Sequence, residues 1–258
     1  MIGCDCSTCQ STDTRDRRLR PSIFVQLDDG TSVLVDAGPD LRQQALTNHI
    51  RRVDAIVFTH GHADHILGLD DVRRFNFMQK RPMACYGDPR TIADIRMTFG
   101  YAFDPATQKG GGLPQLVTFT VQGPFCVGRQ EVVPVPLLHG ARPILGVRFG
   151  AFAYLTDCNR IPDGSWELLE GLDVLVIDAL RDRPHPTHFT LDEAIAASRR
   201  IGARRTYFTH MCHDLPHAAT GARLPEGMEL AYDGLVIEVG SGLKAQAKPS
   251  TTYSKDLA

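Results

Sequence analysis

The chain of 258 residues has no apolar run near the roughly 20 residues that a membrane-crossing helix needs; stretches such as 172–177 fall far short. No membrane helix is expected. Basic excess is missing too: 28 Lys and Arg stand against 30 Asp and Glu, a formal net charge of −2. A long nucleic-acid backbone therefore meets no global field to hold it, while a small anionic substrate is not excluded. Residues 1–6, Met-Ile-Gly-Cys-Asp-Cys, show neither a basic nor an apolar export segment, so a cytoplasmic address is the default expectation. In a reducing compartment the seven cysteines are free thiols or metal ligands rather than a disulfide framework. Internal repeats and a domain-separating linker are likewise missing.

What remains is an ordinary globular composition, 43% hydrophobic and 22% charged, with length enough for a substantial core. One domain over residues 1–240 is expected, with a loose polar tail at 241–258. Short β-branched runs separated by turn residues predict a hairpin over 22–27 and 32–35, and strands at 53–58, 83–86, 116–121, 131–137, 144–149, 151–156, 174–177, 205–208, 229–232 and 235–239. Helices are expected at 66–77, 89–99, 165–169 and 191–201, the last capped by Thr190, with a glycine loop at 110–112.

Chemistry concentrates at His60-Gly61-His62-Ala63-Asp64-His65, directly after an apolar strand. Three imidazoles and a carboxylate on one strand-to-helix loop supply borderline N and O ligands for Zn²⁺, Mn²⁺ or Fe²⁺, and side chains fanning from such a loop can serve two metals. His139, Asp157 and His210 each follow an apolar run that delivers them to the edge of a sheet. Taken singly, each could be a cap or a surface residue. Cys4, Cys6 and Cys9 form a C-x-C-x2-C cluster suited to one soft metal ion, with His213 as candidate fourth ligand and Cys212 as its rival. Cys85, Cys126 and Cys158 read most simply as buried small apolar residues, although Cys158 adjoins Asp157.

The order H-x-H-x-D-H, His, Asp, His resembles the metallo-β-lactamase superfamily over about residues 22–240. The resemblance implies an α/β fold, the αββα sandwich of two mixed β-sheets flanked by helices. It also implies one active-site cation on His60, His62 and His139, a second on Asp64, His65 and His210, and Asp157 bridging them. Gly3-Cys4-Asp5-Cys6-Ser7-Thr8-Cys9, Thr209-His210-Met211-Cys212-His213 and the stretch 224–234 narrow the resemblance to phosphoribosyl cyclic phosphate phosphodiesterases of the PhnP type. In those proteins three cysteines and one histidine bind a structural zinc and the active-site pair is commonly manganese. They open with a strand and a glycine-rich turn before the cysteine loop, whereas this sequence begins almost at the loop.

The activity so implied is hydrolysis of a small cyclic phosphate by a metal-bridging hydroxide, since bound metals lower the pKa of water toward neutrality. The leaving oxygen then needs a proton. His188, on a loop just before a helix, matches a family position near the substrate phosphate and is the candidate acid or phosphate contact. His185 reads as a surface residue, and Arg17, Arg18 and Arg20 as a basic cluster either solvated or facing a phosphate. The expected partner is a small phosphorylated substrate, with nucleic acid disfavoured and a homodimer suggested by the resemblance. Competing readings are a tRNA 3′-processing endonuclease, a thioester or lactone hydrolase, and a non-catalytic metal or nucleotide sensor.

Overall fold

Unbroken apolar runs of the sequence become parallel strands buried on both faces. The computed structural model describes residues 1–108, 110 and 112–240; Gly111 of the expected glycine loop and the expected tail at 241–258 lie outside the described residues. Among the described residues the chain forms two units interleaved in sequence, one spanning Arg20–Pro134 and the other joining residues 1–19 to residues 135–240.

The 20–134 unit contains β1 (Ile23–Gln26), β2 (Ser32–Val35), α1 (Leu41–Thr47), β3 (Ala55–Val57), α2 (Ala63–Ile66), α3 (Arg73–Gln79), β4 (Met83–Gly87), α4 (Pro89–Thr98), α5 (Gly100–Phe103), β5 (Leu116–Thr120) and β6 (Phe125–Val127). β1 to β5 lie in sequence order in one five-stranded sheet; β1 and β2 are antiparallel and the other neighbours parallel. Its core gathers Leu34, Ile56, Phe58, Leu69, Phe75 and Ile95. β7 (Gln130–His139) pairs with β6 and carries the chain onward into the second unit.

That unit continues with β8 (Arg142–Phe149), β9 (Phe152–Leu155), β10 (Val174–Asp178), α6 (Leu191–Ile201), β11 (Arg205–Thr209), α7 (His217–Gly221) and β12 (Met228–Leu230). The seven-stranded sheet runs β12-β11-β10-β9-β8-β7-β6, and β9 to β12 are parallel. Every residue of β9 and β10 is buried. Leu137, Leu155, Leu175, Ile177 and Phe208 anchor the core. α6 starts at a full capping box: the Thr190 hydroxyl accepts from the Glu193 N–H, and the Glu193 carboxylate accepts from the Thr190 N–H at 2.8 Å. Such a cap contributes about 1 kcal/mol.

Several sequence expectations are corrected. The helix expected at 66–77 is broken into α2, a 3₁₀ turn at Leu69–Val72, and α3. The break falls where Gly68 crosses β2's exit, its N–H donating to the Ala37 carbonyl at 2.8 Å. α1 was not foreseen, and the helix expected at 165–169 is a pair of 3₁₀ turns. Residues 235–239 alternate like a strand but form none; a turn at 232–235 diverts them, and the Glu238 carbonyl accepts from Arg205 instead. Cys126 is exposed, because Phe125 and Val127 take the inward positions of β6.

Close backbone approach fixes the turn that carries Asp64. A Cβ at Gly38 would overlap the Asp64 carbonyl oxygen, and the Ala37 N–H donates to the His65 carbonyl at 2.8 Å. Gly38→Ala should therefore lower stability by about 1–3 kcal/mol in urea unfolding, as overpacking does; an unchanged midpoint contradicts the close approach.

Candidate metal centres

Loops at the carboxyl ends of parallel strands are where open α/β sheets place their chemistry. In the 20–134 unit, β2 and β3 end side by side, Val35 opposite Val57, so Asp36 and the His60–His65 loop emerge at one edge. Asp36 takes a left-handed backbone, φ 64°, and is fully buried. Its carboxylate accepts the Thr59 N–H and hydroxyl, each at 2.8 Å, and the Nδ1–H of His65 at 2.7 Å. Since the Thr59 proton goes to Asp36, its oxygen accepts the Nδ1–H of His60 at 3.0 Å. One carboxylate thus orients two imidazoles, directing Nε2 as the ligating atom of both. The rings of His62 and His65 lie 4.5 and 4.2 Å from that of His60. Asp64, half-buried, accepts from Arg20 at 3.3 Å.

The other unit repeats the device. β9, β10 and β11 run parallel with Leu155, Ile177 and Phe208 in register, so Asp157, Asp178 and His210 share one edge. Asp157 and His210 sit at φ 55° and 60°, strained for non-glycine residues, as is common at functional sites. The Nε2 of His210 lies 2.7 Å from Asp157. Asp178, fully buried, accepts the Nδ1–H of His188 at 3.2 Å and the Phe189 N–H at 3.1 Å, and lies 3.7 Å from Nδ1 of His210. Burial pushes its carboxyl above the usual range, while the two imidazoles oppose that shift. The ring of His188 stacks on His210 at 4.7 Å and meets the edge of His139 at 4.8 Å. His139 donates its Nδ1–H to the Thr187 carbonyl at 3.0 Å. Asp157, Asp178, His188 and His210 form one group of ligand atoms within 4.8 Å of one another.

Each sequence-derived active-site residue thus lies in one of two clusters, His60, His62, Asp64 and His65 in one unit and His139, Asp157, His188 and His210 in the other. Their nitrogen and carboxylate donors suit Zn²⁺ or Mn²⁺. Asp36 and Asp178 were missed, although each ends an apolar strand as Asp157 does. Cys158 is buried beneath the second cluster, and burial pushes its thiol far up. Partial burial pushes the His185 imidazole below its ordinary pKa, and its ring lies 4.9 Å from that of His188.

A third cluster is built wholly within the second unit. The Sγ atoms of Cys4, Cys6 and Cys9 lie 3.3, 3.3 and 3.7 Å from Nδ1 of His213. A tetrahedral zinc with ordinary bond lengths spaces sulfur and nitrogen by about 3.5 Å. The donors fit that ion. The Cys9 N–H and the His213 ring draw the Cys6 thiol down to about 6. Cys212 stays out of the cluster; its sulfur accepts the Asp214 N–H, and burial pushes its thiol up.

Comparison with known proteins places these clusters in context. Residues 31–211 match the beta-lactamase superfamily domain. The chain is 47% identical to a solved diphosphatase from the PhnP family, with a TM-score of 0.85 over 91% of this chain and 89% of that one. Zinc-bound PqqB from Methylobacterium extorquens shares the fold at 22% identity, TM-score 0.68, over 92% and 95% of the two chains. An octanoyltransferase of Porphyromonas gingivalis is 36% identical over 91% of this chain but 48% of its own length, so the chain spans about half of that protein. Among the described residues no helix is long and apolar enough to cross a membrane.

Replacing Cys6 and Cys9 with Ser should remove one tightly held zinc equivalent, measured by atomic emission, and lower the thermal midpoint. Full zinc retention would show that the thiolates do not hold it.

Proposed function

The chain belongs to the metallo-β-lactamase superfamily and, within it, to the PhnP family of metal-dependent hydrolases, and from that premise we propose that it opens a small cyclic phosphodiester. By the family pattern, His60, His62, Asp64, His65, His139, Asp157 and His210 would hold two divalent cations. Mn²⁺ or Zn²⁺ suits these donors. Bound there, the pair lowers the pKa of water and sets positive charge against phosphoryl oxygens. Cys4, Cys6, Cys9 and His213 hold a structural zinc.

The observation that carries this reading is the fixed orientation of the imidazoles: Nδ1–H of His65, His139 and His188 each donates to an internal acceptor, at 2.7, 3.0 and 3.2 Å. For His188 this directs Nε2 toward the substrate. As the water oxygen bonds to phosphorus and gives up a proton to solvent, the ester P–O bond breaks, and His188 passes its Nε2 proton to the departing alkoxide and regains one from solvent. Asp178 holds the ring and balances its charge meanwhile. The products are a monoester and a free hydroxyl.

The identity to a diphosphatase favours a second reading, in which the scissile bond is a phosphoanhydride. Phosphate is a far weaker base than an alkoxide, so its departure depends less on His188.

A panel of cyclic phosphates, bis-p-nitrophenyl phosphate, diphosphates and thioesters tests the reaction class. Turnover of cyclic phosphates above the rest supports the first reading, diphosphates above the rest the second, and inertness toward all phosphoesters refutes both. His188→Ala should lower kcat on a cyclic ester by about 10²–10⁴-fold with metal content intact; loss of bound metal would make it a ligand instead. Asp178→Asn turns an amide NH₂ toward one of the donors it now accepts, and should weaken metal binding or activity by about 10–100-fold. Chelator competition and steady-state kinetics measure this, and wild-type values in both contradict the role.

A further inference from the structure

A cleft of about 540 Å³ lies between the face of α3 that carries Arg73, Arg74, Phe77 and Lys80 and the approach to β5 at Leu113 and Gln115. Its walls are fixed. Buried Asn76 donates its amide to the carbonyls of Arg81 and Gln115 at 3.0 and 3.1 Å and accepts the Gln115 N–H at 2.9 Å, while Gln79 exchanges two hydrogen bonds with the Val53 backbone. Lys80 ends the helix in a left-handed turn, φ 56°, and its side chain returns over the ring of Phe77. The cleft stands just before Met83 and Leu116, where β4 and β5 begin, whereas the His60–His65 loop emerges beyond Val57 and Tyr86, toward the ends of β3 and β4. The length of β4, about 16 Å, separates the two.

Phe77 is 62% exposed, and cations crowd it: Nζ of Lys80 lies 4.2 Å and the guanidinium carbon of Arg74 5.2 Å from the ring centre. Arg73 pairs with Asp70 at 2.8 Å, but Arg74 and Lys80 have no carboxylate partner among the described residues. One exposed apolar side chain is ordinary. The combination is not, because a phenyl face offers a stacking surface to a planar base while a guanidinium and an ammonium offer charged hydrogen bonds to phosphate oxygens. Cation–π contacts at exposed sites are weak. A phosphate therefore draws the two cations off the ring and leaves the phenyl face open.

We propose that this cleft binds a nucleoside polyphosphate, with the base stacked on Phe77 and the phosphates held by Arg74 and Lys80. Its volume suits one such molecule, since small-ligand sites measure about 300–1,000 Å³. One aromatic ring seats one base, and the chain as a whole carries no basic excess to track a polymer backbone. The site is distinct from the His60–His65 loop and independent of the hydrolase reading. Leu113 and Gln115, held in place through the Asn76 clasp, form the wall facing the base.

The test cross-links 8-azidoadenosine 5′-diphosphate to the metal-loaded full-length protein and maps the attachment by peptide mass spectrometry. Label should fall within residues 73–81 or 112–116, and ADP should compete for it better than adenosine or inorganic diphosphate, each of which supplies half of the contacts. Phe77→Ala should lower labelling there about tenfold or more, and so should Arg74→Glu combined with Lys80→Glu. Thermal midpoints close to that of the wild type show that these exposed substitutions leave the fold intact. Label confined to the metal-binding residues, or labelling of the cleft that survives both variants, overturns the site. So does protection by polyglutamate at concentrations below those of ADP, which would make the partner an acidic chain. An unlabelled cleft together with a wild-type dimer that Phe77→Ala dissociates in sedimentation would likewise overturn it, by making this face a contact between copies.

Discussion

An imidazole presents one nitrogen to a cation only if its other nitrogen is fixed, and in this protein a buried strand-end carboxylate does the fixing in each unit. Asp36 governs His65 directly and His60 through the Thr59 hydroxyl; Asp178 governs His188 and lies against His210. Burying a carboxylate without partners is costly. Asp36 accepts three hydrogen bonds, and Asp178 accepts two and lies near His210. The cost of burying each acid is offset by the donors it organises, and the result is a set of rings with assigned tautomers before any ligand arrives.

The same economy of backbone placement runs through the loop after β11. Thr209 ends the strand, His210 turns in a left-handed conformation, and three residues later His213 meets the thiols of Cys4, Cys6 and Cys9. Arg18 secures the intervening backbone at Cys212 and Leu215, and Asp16 accepts the His217 N–H at 2.8 Å. The amino-terminal segment therefore ties down the loop whose first residue stands beside Asp157 and Asp178. A zinc at the thiols would stiffen that loop, which gives a structural metal a physical route to the position of His210.

What the sequence made legible was local. His60 to His65 and Cys4 to Cys9 carry their ligands within a few residues, so spacing alone reveals them, and Thr190 announces its helix by the capping pattern it completes with Glu193. His139, Asp157 and His210 became readable only through the order of a family pattern, because a lone acid or imidazole after a strand resembles any cap. Asp36 and Asp178 stayed hidden for that reason: nothing along the chain tells that Asp178 stands ten residues before its histidine, or Asp36 twenty-nine before His65. Gly68 was hidden differently. A glycine inside an apolar helical pattern looks tolerable until the backbone it must pass is known. The alternation at 235–239 misled because periodicity describes a strand's faces and says nothing of whether a neighbour is there to pair with it.

That a buried strand-end carboxylate fixes the imidazoles for metal binding is tested most directly by chelator competition on Asp36→Asn. The account predicts a metal affinity about 10–100-fold below that of the wild type. Wild-type affinity in the variant would contradict it.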